Sequence, residues 1–259
     1  MTQRKTALIT GASVGLGKEF AELFARDGHD VVLVARNADA LGRVAAELQK
    51  THGVTAHSMP MDLSSPTAGD DLYRSLKERG VVIDFLVNNA GFGSCGPFLD
   101  QDLKKEVAMV DLNVSTLLRL CHLFGRDMRE RRSGRILNIA STAGFQAGPF
   151  MATYYATKAF VITFSEALAF ELKPSGVTVT CHCPGATATE FSQRAGNDKT
   201  PLFQRSSVAK AAEVAEHAYK AMQQGKVLAV HGAMNKVGAF FTRFVPRQTA
   251  SSIAAGLNR

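Results

Sequence analysis

Tyr154 and Lys158 stand four residues apart in a run that reads as helix, Thr153–Leu172, so their side chains share one face. A phenol beside an ammonium can donate and recover a proton. Bringing its pKa from ~10 to neutrality takes about three units, or ~4 kcal/mol of preferential anion stabilisation. Tyr155 is the competing phenol, but the residue four positions after it is Ala159. Thirteen residues before Tyr154 comes Ser141, directly after the apolar strand-like run Arg135–Ile139, where a hydroxyl can hold a carbonyl oxygen. Thr142 has the same chemistry at a less suitable offset. These side chains suit acid–base work at an oxygen on which negative charge builds, as when a carbonyl accepts hydride.

A second constellation lies near the N-terminus. The run Ala7–Thr10 leads into Gly11-Ala12-Ser13-Val14-Gly15-Leu16-Gly17 and then a helical stretch. Glycines here let the backbone turn and approach a pyrophosphate, while the helix start presents unpaired N–H groups and a partial positive charge. The next strand ends at Arg36. An acid at that position holds a ribose 2′-hydroxyl, whereas arginine offers a planar, permanently charged fork for a 2′-phosphate. NADP(H) is therefore the expected cofactor, with NAD(H) also usable if Arg36 is only a solvated strand end.

Elements in alternation must position these groups. Short apolar runs at Thr6–Thr10, Val31–Ala35, Val54–Met59, Ile83–Val87, Arg135–Ile139, Val177–Cys181 and Val227–Val230 predict seven strands. Helical stretches near Leu16–Asp27, Ala38–Lys50, Pro66–Arg79, Leu103–Glu130, Thr153–Leu172 and Val208–Gln223 separate them. This β-α-β grammar predicts an α/β, Rossmann-type doubly wound fold, a seven-stranded parallel sheet with helices on both faces, as one domain over residues 1–259. Residues 185–207 escape the grammar and read as a substrate lid. Residues 233–259 read as a tail packing on the pocket or on a partner subunit.

The order Thr10-Gly11-x-x-x-Gly15-x-Gly17, Asn88-Asn89-Ala90-Gly91, Ser141, Tyr154-x-x-x-Lys158 and Pro184-Gly185-x-x-x-Thr189 resembles the short-chain dehydrogenase/reductase family in its shorter branch. The segment Tyr219–Pro246 resembles broadly described bacterial oxidoreductases of that branch. The resemblance implies an NADP-dependent oxidoreductase that passes hydride between nicotinamide and a carbonyl or secondary alcohol. Tyr154 is then acid in reduction and base in oxidation, Lys158 lowers its pKa and holds the nicotinamide ribose, and Ser141 orients the carbonyl. Asn113 corresponds to a helix asparagine holding a water that links the lysine to solvent. Gly11, Ser13, Gly15, Leu16 and Gly17 would meet the phosphates and Asp62 and Leu63 the adenine. Asn89, Ala90 and Gly91 would pass beside the cofactor, with Pro184, Gly185, Thr187 and Thr189 near its carboxamide.

The net charge of +7 suits a polyanionic cofactor better than nucleic acid, because the basic residues are scattered and the densest group, Arg129, Arg131, Arg132 and Arg135, reads as a solvated helix end. Four cysteines are too few for a disulfide framework, and Cys181-His182-Cys183 lacks the second pair of a zinc site, so no metal is assigned. No stretch reads as a signal peptide or a membrane span, and a cytoplasmic protein is expected. Phe92–Phe98, Phe145–Met151 and Thr189–Gln204 would bound an apolar or aromatic substrate, unless those side chains are simply core. Val237, Phe240, Phe241, Phe244 and Val245, with Lys236 and Arg243, fit pocket cover or subunit packing ahead of a membrane surface. A homodimer or homotetramer is expected. The alternative is an NADP(H)-sensing protein without turnover, against which the Ser141/Tyr154/Lys158 set argues.

Overall fold

The computed structural model describes residues 4–198, 200, 201, 204 and 208–259. β1 (Thr6–Thr10), α1 (Gly15–Arg26), β2 (Asp30–Ala35), α2 (Ala38–His52), β3 (Ala56–Pro60), α3 (Ala68–Glu78) and β4 (Phe85–Asn88) form the first half. α4 (Leu103–Val110), α5 (Leu117–Glu130), β5 (Gly134–Ile139), α6 (Ala152–Leu172) and β6 (Val177–Cys183) follow. Then come β7 (Thr187–Ala188), α7 (Phe191–Ala195), β8 (Ala209–Lys210), α8 (Ala211–Gln223), β9 (Leu228–Val230), α9 (Ala233–Phe241) and α10 (Arg247–Asn258). The expected doubly wound sheet is present: seven strands in the order β3-β2-β1-β4-β5-β6-β9, with every pair parallel.

Alternation along the strands builds two cores. Ala7, Ile9, Val31 and Leu33 face α1, α2 and α8, where Phe20, Phe24 and Tyr219 complete one layer. Leu8, Val32, Val34 and Leu86 face α3, α5 and α6 with Leu72, Leu120 and Val161. Because both faces are covered, the strands read as continuous apolar runs. Strand order reverses between β1 and β4, leaving a crevice beyond their carboxyl ends, where open α/β sheets bind ligands.

Several expectations need correction. Leu103–Glu130 is not one regular helix, since Asp111–Thr116 forms a π-helical turn between α4 and α5. Within that stretch an 18-residue window of mean hydropathy 1.4 also has the length and apolarity to cross a membrane, which the sequence reading overlooked. Leu117, Leu120, Cys121, Phe124 and Met128 spend that apolarity on the sheet. The arginine cluster is more than a solvated helix end: Arg131 donates to Ile83 O (2.8 Å) and Arg135 to Gln223 O (2.6 Å), tying strand starts to neighbouring turns. Ala209 and Lys210 join a two-stranded ribbon rather than the helix, and the tail holds two helices, α9 and α10. Part of the expected lid, residues 199, 202, 203 and 205–207, lies outside the described residues.

A polar chain crosses the second core. Asn88 Nδ2 donates to Asn138 Oδ1 (2.8 Å), and Asn138 Nδ2 donates to Ser165 Oγ (2.9 Å). Asn138 and Ser165 are fully buried, so removing the middle member strands two polar groups away from water. Asn138→Leu is expected to cost about 2–4 kcal/mol. Equilibrium urea unfolding checks this, and an unchanged midpoint would contradict it.

Candidate active site

A cleft of about 1400 Å³ opens at the crevice between β1 and β4. That exceeds the 300–1,000 Å³ usual for one small ligand, leaving room for a dinucleotide and a second molecule. Of the expected site residues, Gly11, Ser13, Gly15, Leu16, Arg36, Asp62 and Leu63 line one part of it. Asn89, Ala90, Gly91, Ser141, Tyr154, Lys158, Pro184, Gly185, Thr187 and Thr189 line the rest. Gly17 and Asn113 stand behind the wall as supports.

The glycine loop is built by close approach. Gly11 adopts φ +69°, and the Gly17 Cα lies so near the Gly11 carbonyl that any Cβ would collide with backbone. Thr10 Oγ1 accepts from both Asn89 N and Ala90 N (3.0 Å each), and Asn89 Nδ2 donates to Thr10 O (2.9 Å), so β1 and β4 lock their ends together. No side chain caps the start of α1, which leaves N–H groups of its first turn available to an anion. Arg36 is exposed at the cleft edge, while Asn37 turns away to cap α2 by accepting from Ala40 N (2.9 Å). This donor set fits a dinucleotide phosphate with a further phosphate near Arg36. Asp62 is committed locally: Ser64 N and Oγ donate to its Oδ1 (3.0 and 2.7 Å), and these bonds hold the carboxyl below its ordinary pKa, with Arg36 adding to the effect.

Tyr154 and Lys158 share the inner face of α6 as expected. Both are buried, and Tyr154 is hydrogen-bonded to Ser141. Lys158 Nζ donates to Ile139 O (2.8 Å) at the end of β5 and lies 5.7 Å from the Tyr154 ring centre. Burial raises the phenol above its ordinary value, and the Ser141 bond pulls the other way. The lowering of the tyrosine pKa expected from its lysine neighbour is therefore not what the polypeptide by itself produces. Desolvation also brings Lys158 down to about 8. Ser141 Oγ additionally accepts from Ala143 N (3.1 Å), which starts a 3₁₀ turn over Thr142–Phe145.

Asn113 sits in the π-turn, a distortion that often marks functional sites. Its Oδ1 accepts from Phe92 N (3.2 Å), and its Nδ2 donates to Phe92 O (3.0 Å) and Thr157 Oγ1 (3.1 Å). Its side chain thus clamps the β4 loop to α6. A Cβ on Gly91 would come 2.9 Å from Asn113 Oδ1 and 3.6 Å from Lys158 Nζ, so the glycine makes room for both. Cys181-His182-Cys183 is split by strand alternation: both cysteines enter the second core, while His182 Nε2 lies 3.0 Å from His217 Nδ1.

The sequence reading missed Asn258. Tyr155 OH donates to its Oδ1 (3.3 Å), its Nδ2 donates to Pro149 O (3.0 Å), and Arg259 lies over the Phe150 ring at 4.7 Å. Phe150 holds φ +68°, a strained conformation for a bulky residue, in the loop leading to Tyr154. No local signal marks an asparagine more than 100 positions from its partner.

The folded lysine releases its proton near pH 8 and the unfolded one near 10.5, so the unfolded chain binds more protons between those values and stability rises with pH there. Below that window the charged lysine costs roughly 3 kcal/mol. The Tm advantage of Lys158→Met over the unmodified protein should shrink from pH 8 to pH 10.5. A difference that does not change with pH would refute the buried-ammonium reading.

The profile of the short chain dehydrogenase family matches residues 5–200. A very-long-chain 3-oxoacyl-CoA reductase from Laccaria bicolor is 38% identical over 177 residues, covering 67% of this chain; the match spans about half the length of that relative, 52%. A 7beta-hydroxysteroid dehydrogenase from Collinsella aerofaciens is 33% identical over 182 residues, 70% of this chain and 68% of its own. The solved structure of a short-chain dehydrogenase from Sphingobium yanoikuyae in complex with NADPH superposes with a TM-score of 0.83 at 35% identity, covering 96% of this chain and 95% of the other. With the profile spanning most of the chain and the motifs gathered in one cleft, this protein belongs to the short-chain dehydrogenase family.

Proposed function

We propose that the protein is an NADP(H)-dependent oxidoreductase acting on a carbonyl or secondary alcohol, with Tyr154 as general acid and base. The observation that carries this reading is the Tyr154 hydroxyl bonded to Ser141 above the buried Lys158 ammonium, in the cleft that the glycine loop enters. Bound NADP(H) would supply the hydride donor or acceptor. Tyr154 gives its proton to the oxygen as the carbonyl becomes an alcohol, and recovers it in the reverse direction. Ser141 holds that oxygen by a hydrogen bond that strengthens as charge develops. Lys158, fixed by Ile139 O, favours the phenolate left behind, and Asn113 keeps the helix carrying both groups in register with the β4 loop.

Ser13 and Arg36 at one end of the cleft support the preference for NADP(H). Phe92, Met151, Tyr155 and Phe191 around Tyr154 support an apolar or aromatic substrate, with the Phe191 ring 5.2 Å from that of Tyr154. The relatives named for 3-oxoacyl and hydroxysteroid substrates agree with a large apolar carbonyl compound. Exposed Leu118 on α5 and Phe170 on α6 support a homo-oligomer built on those helices.

A panel of ketones and aldehydes, followed by NADPH oxidation, tests the reading. Tyr154→Phe should lower kcat by about 10²–10⁴ while keeping cofactor affinity. Cofactor binding without turnover across a broad panel would favour a sensor instead. Arg36→Asp should reverse the cofactor preference, measured as the ratio of kcat/KM for NADPH and NADH; an unchanged ratio removes Arg36 from phosphate recognition.

A further inference from the structure

The basic residues are scattered along the chain, but the acidic ones are not. After Glu216 the sequence has Lys220, Lys226, Lys236, Arg243, Arg247 and Arg259 and no aspartate or glutamate, so this last stretch carries nearly all of the net charge of +7. Within it α9 has two unlike faces. Asn235, Gly238, Ala239 and Thr242 look into the cleft. Val237, Phe240, Phe241 and Phe244 lie on the other side and are 49–69% exposed, while Met234, 81% exposed, sits at the cleft rim. The three phenylalanine rings pack only edgewise or tilted on one another, with centres 5.3–6.5 Å apart, and present a continuous aromatic surface. Lys236, Arg243 and Arg247 surround it, all exposed. The sequence reading expected these aromatic side chains to be covered, and within this chain they are not.

We infer that the outer face of α9 and the turn after it form a docking surface for an anionic lipid bilayer. Phenylalanine rings can enter the boundary between headgroups and acyl chains while flanking lysine and arginine meet lipid phosphates, the combination that holds interfacial helices. Charge argues against a second copy as the occupant. A two-fold interface would set the patch holding Lys236, Arg243 and Arg247 against the same basic patch of the other copy, with no acid on this stretch to neutralise it. Since the inner face of α9 forms part of the cleft wall, docking places the cleft beside the bilayer, where apolar compounds concentrate.

Co-sedimentation of the full chain with vesicles of phosphatidylcholine, alone and with roughly 30% phosphatidylglycerol, tests this directly. It is read without reference to turnover, so it stands or falls apart from the oxidoreductase proposal. Binding to the anionic vesicles is expected, weakening with salt. Lys236→Glu and Arg243→Glu should each weaken it at least about fivefold. The combined Phe240→Ser, Phe241→Ser and Phe244→Ser variant should lose binding by more than about tenfold while keeping its Tm and NADPH affinity. No sedimentation with anionic vesicles overturns the proposal, as does equal binding to both vesicle types. Conversion of an oligomer to a monomer by the phenylalanine variant, with vesicle binding unaffected, assigns the surface to a second copy instead.

Discussion

The burial of one ammonium organises the centre of this molecule. Lys158 is withdrawn from water, and a desolvated charge survives only where the fold gives it a partner at the right distance. Ile139 O supplies that partner from the end of β5, so α6 must dock on the sheet at one height and rotation. Two glycines serve the same fit. Gly91 leaves space beside Nζ, and a Cβ on Gly144 would strike the Lys158 backbone. Asn113 then bridges the β4 loop to Thr157 one residue before the lysine. Four segments distant in sequence converge on a single charge, and the phenol one turn earlier in α6 inherits that precision.

The cleft divides its labour by composition. Toward β1 and β2 it offers a helix start, glycine backbone and an exposed arginine, all suited to anionic oxygen. Toward α7 and the loop before α6 it offers aromatic and sulfur-bearing side chains such as Phe191 and Met151. The two regions meet at Ser141 and Tyr154, where a polar reaction can be held against an apolar body. The strained Phe150, braced by Arg259 and by Asn258 through Pro149, lies in the loop leading to this junction. The last residues of the chain thus contribute to the geometry around Tyr154 without entering the reacting group.

The strands, the glycine loop and the Tyr154/Lys158 pair were all legible in the sequence, because each rests on short-range rules. Side-chain periodicity marks a strand covered on both faces, glycine spacing marks a turn, and i, i+4 spacing marks a helix face. The Asp111–Thr116 π-turn was not legible, since its sequence has ordinary helical character and the partners of Asn113 within it, Phe92 and Thr157, come from other elements. Nor was the role of Arg131 and Arg135, whose carbonyl partners come from other elements.

By itself the sequence determined which groups could do chemistry and the order in which they would reach one edge of a parallel sheet. The tertiary structure decided what state those groups are in. Burial raises Tyr154 and lowers Lys158, opposite to what adjacency of the pair alone implies for the phenol, because desolvation depends on every element packed around a site and not on its neighbours in sequence. The same holds for α9, whose periodicity is that of any core-facing helix. Only the fold shows that its small residues took the inward position and left the phenylalanines outside.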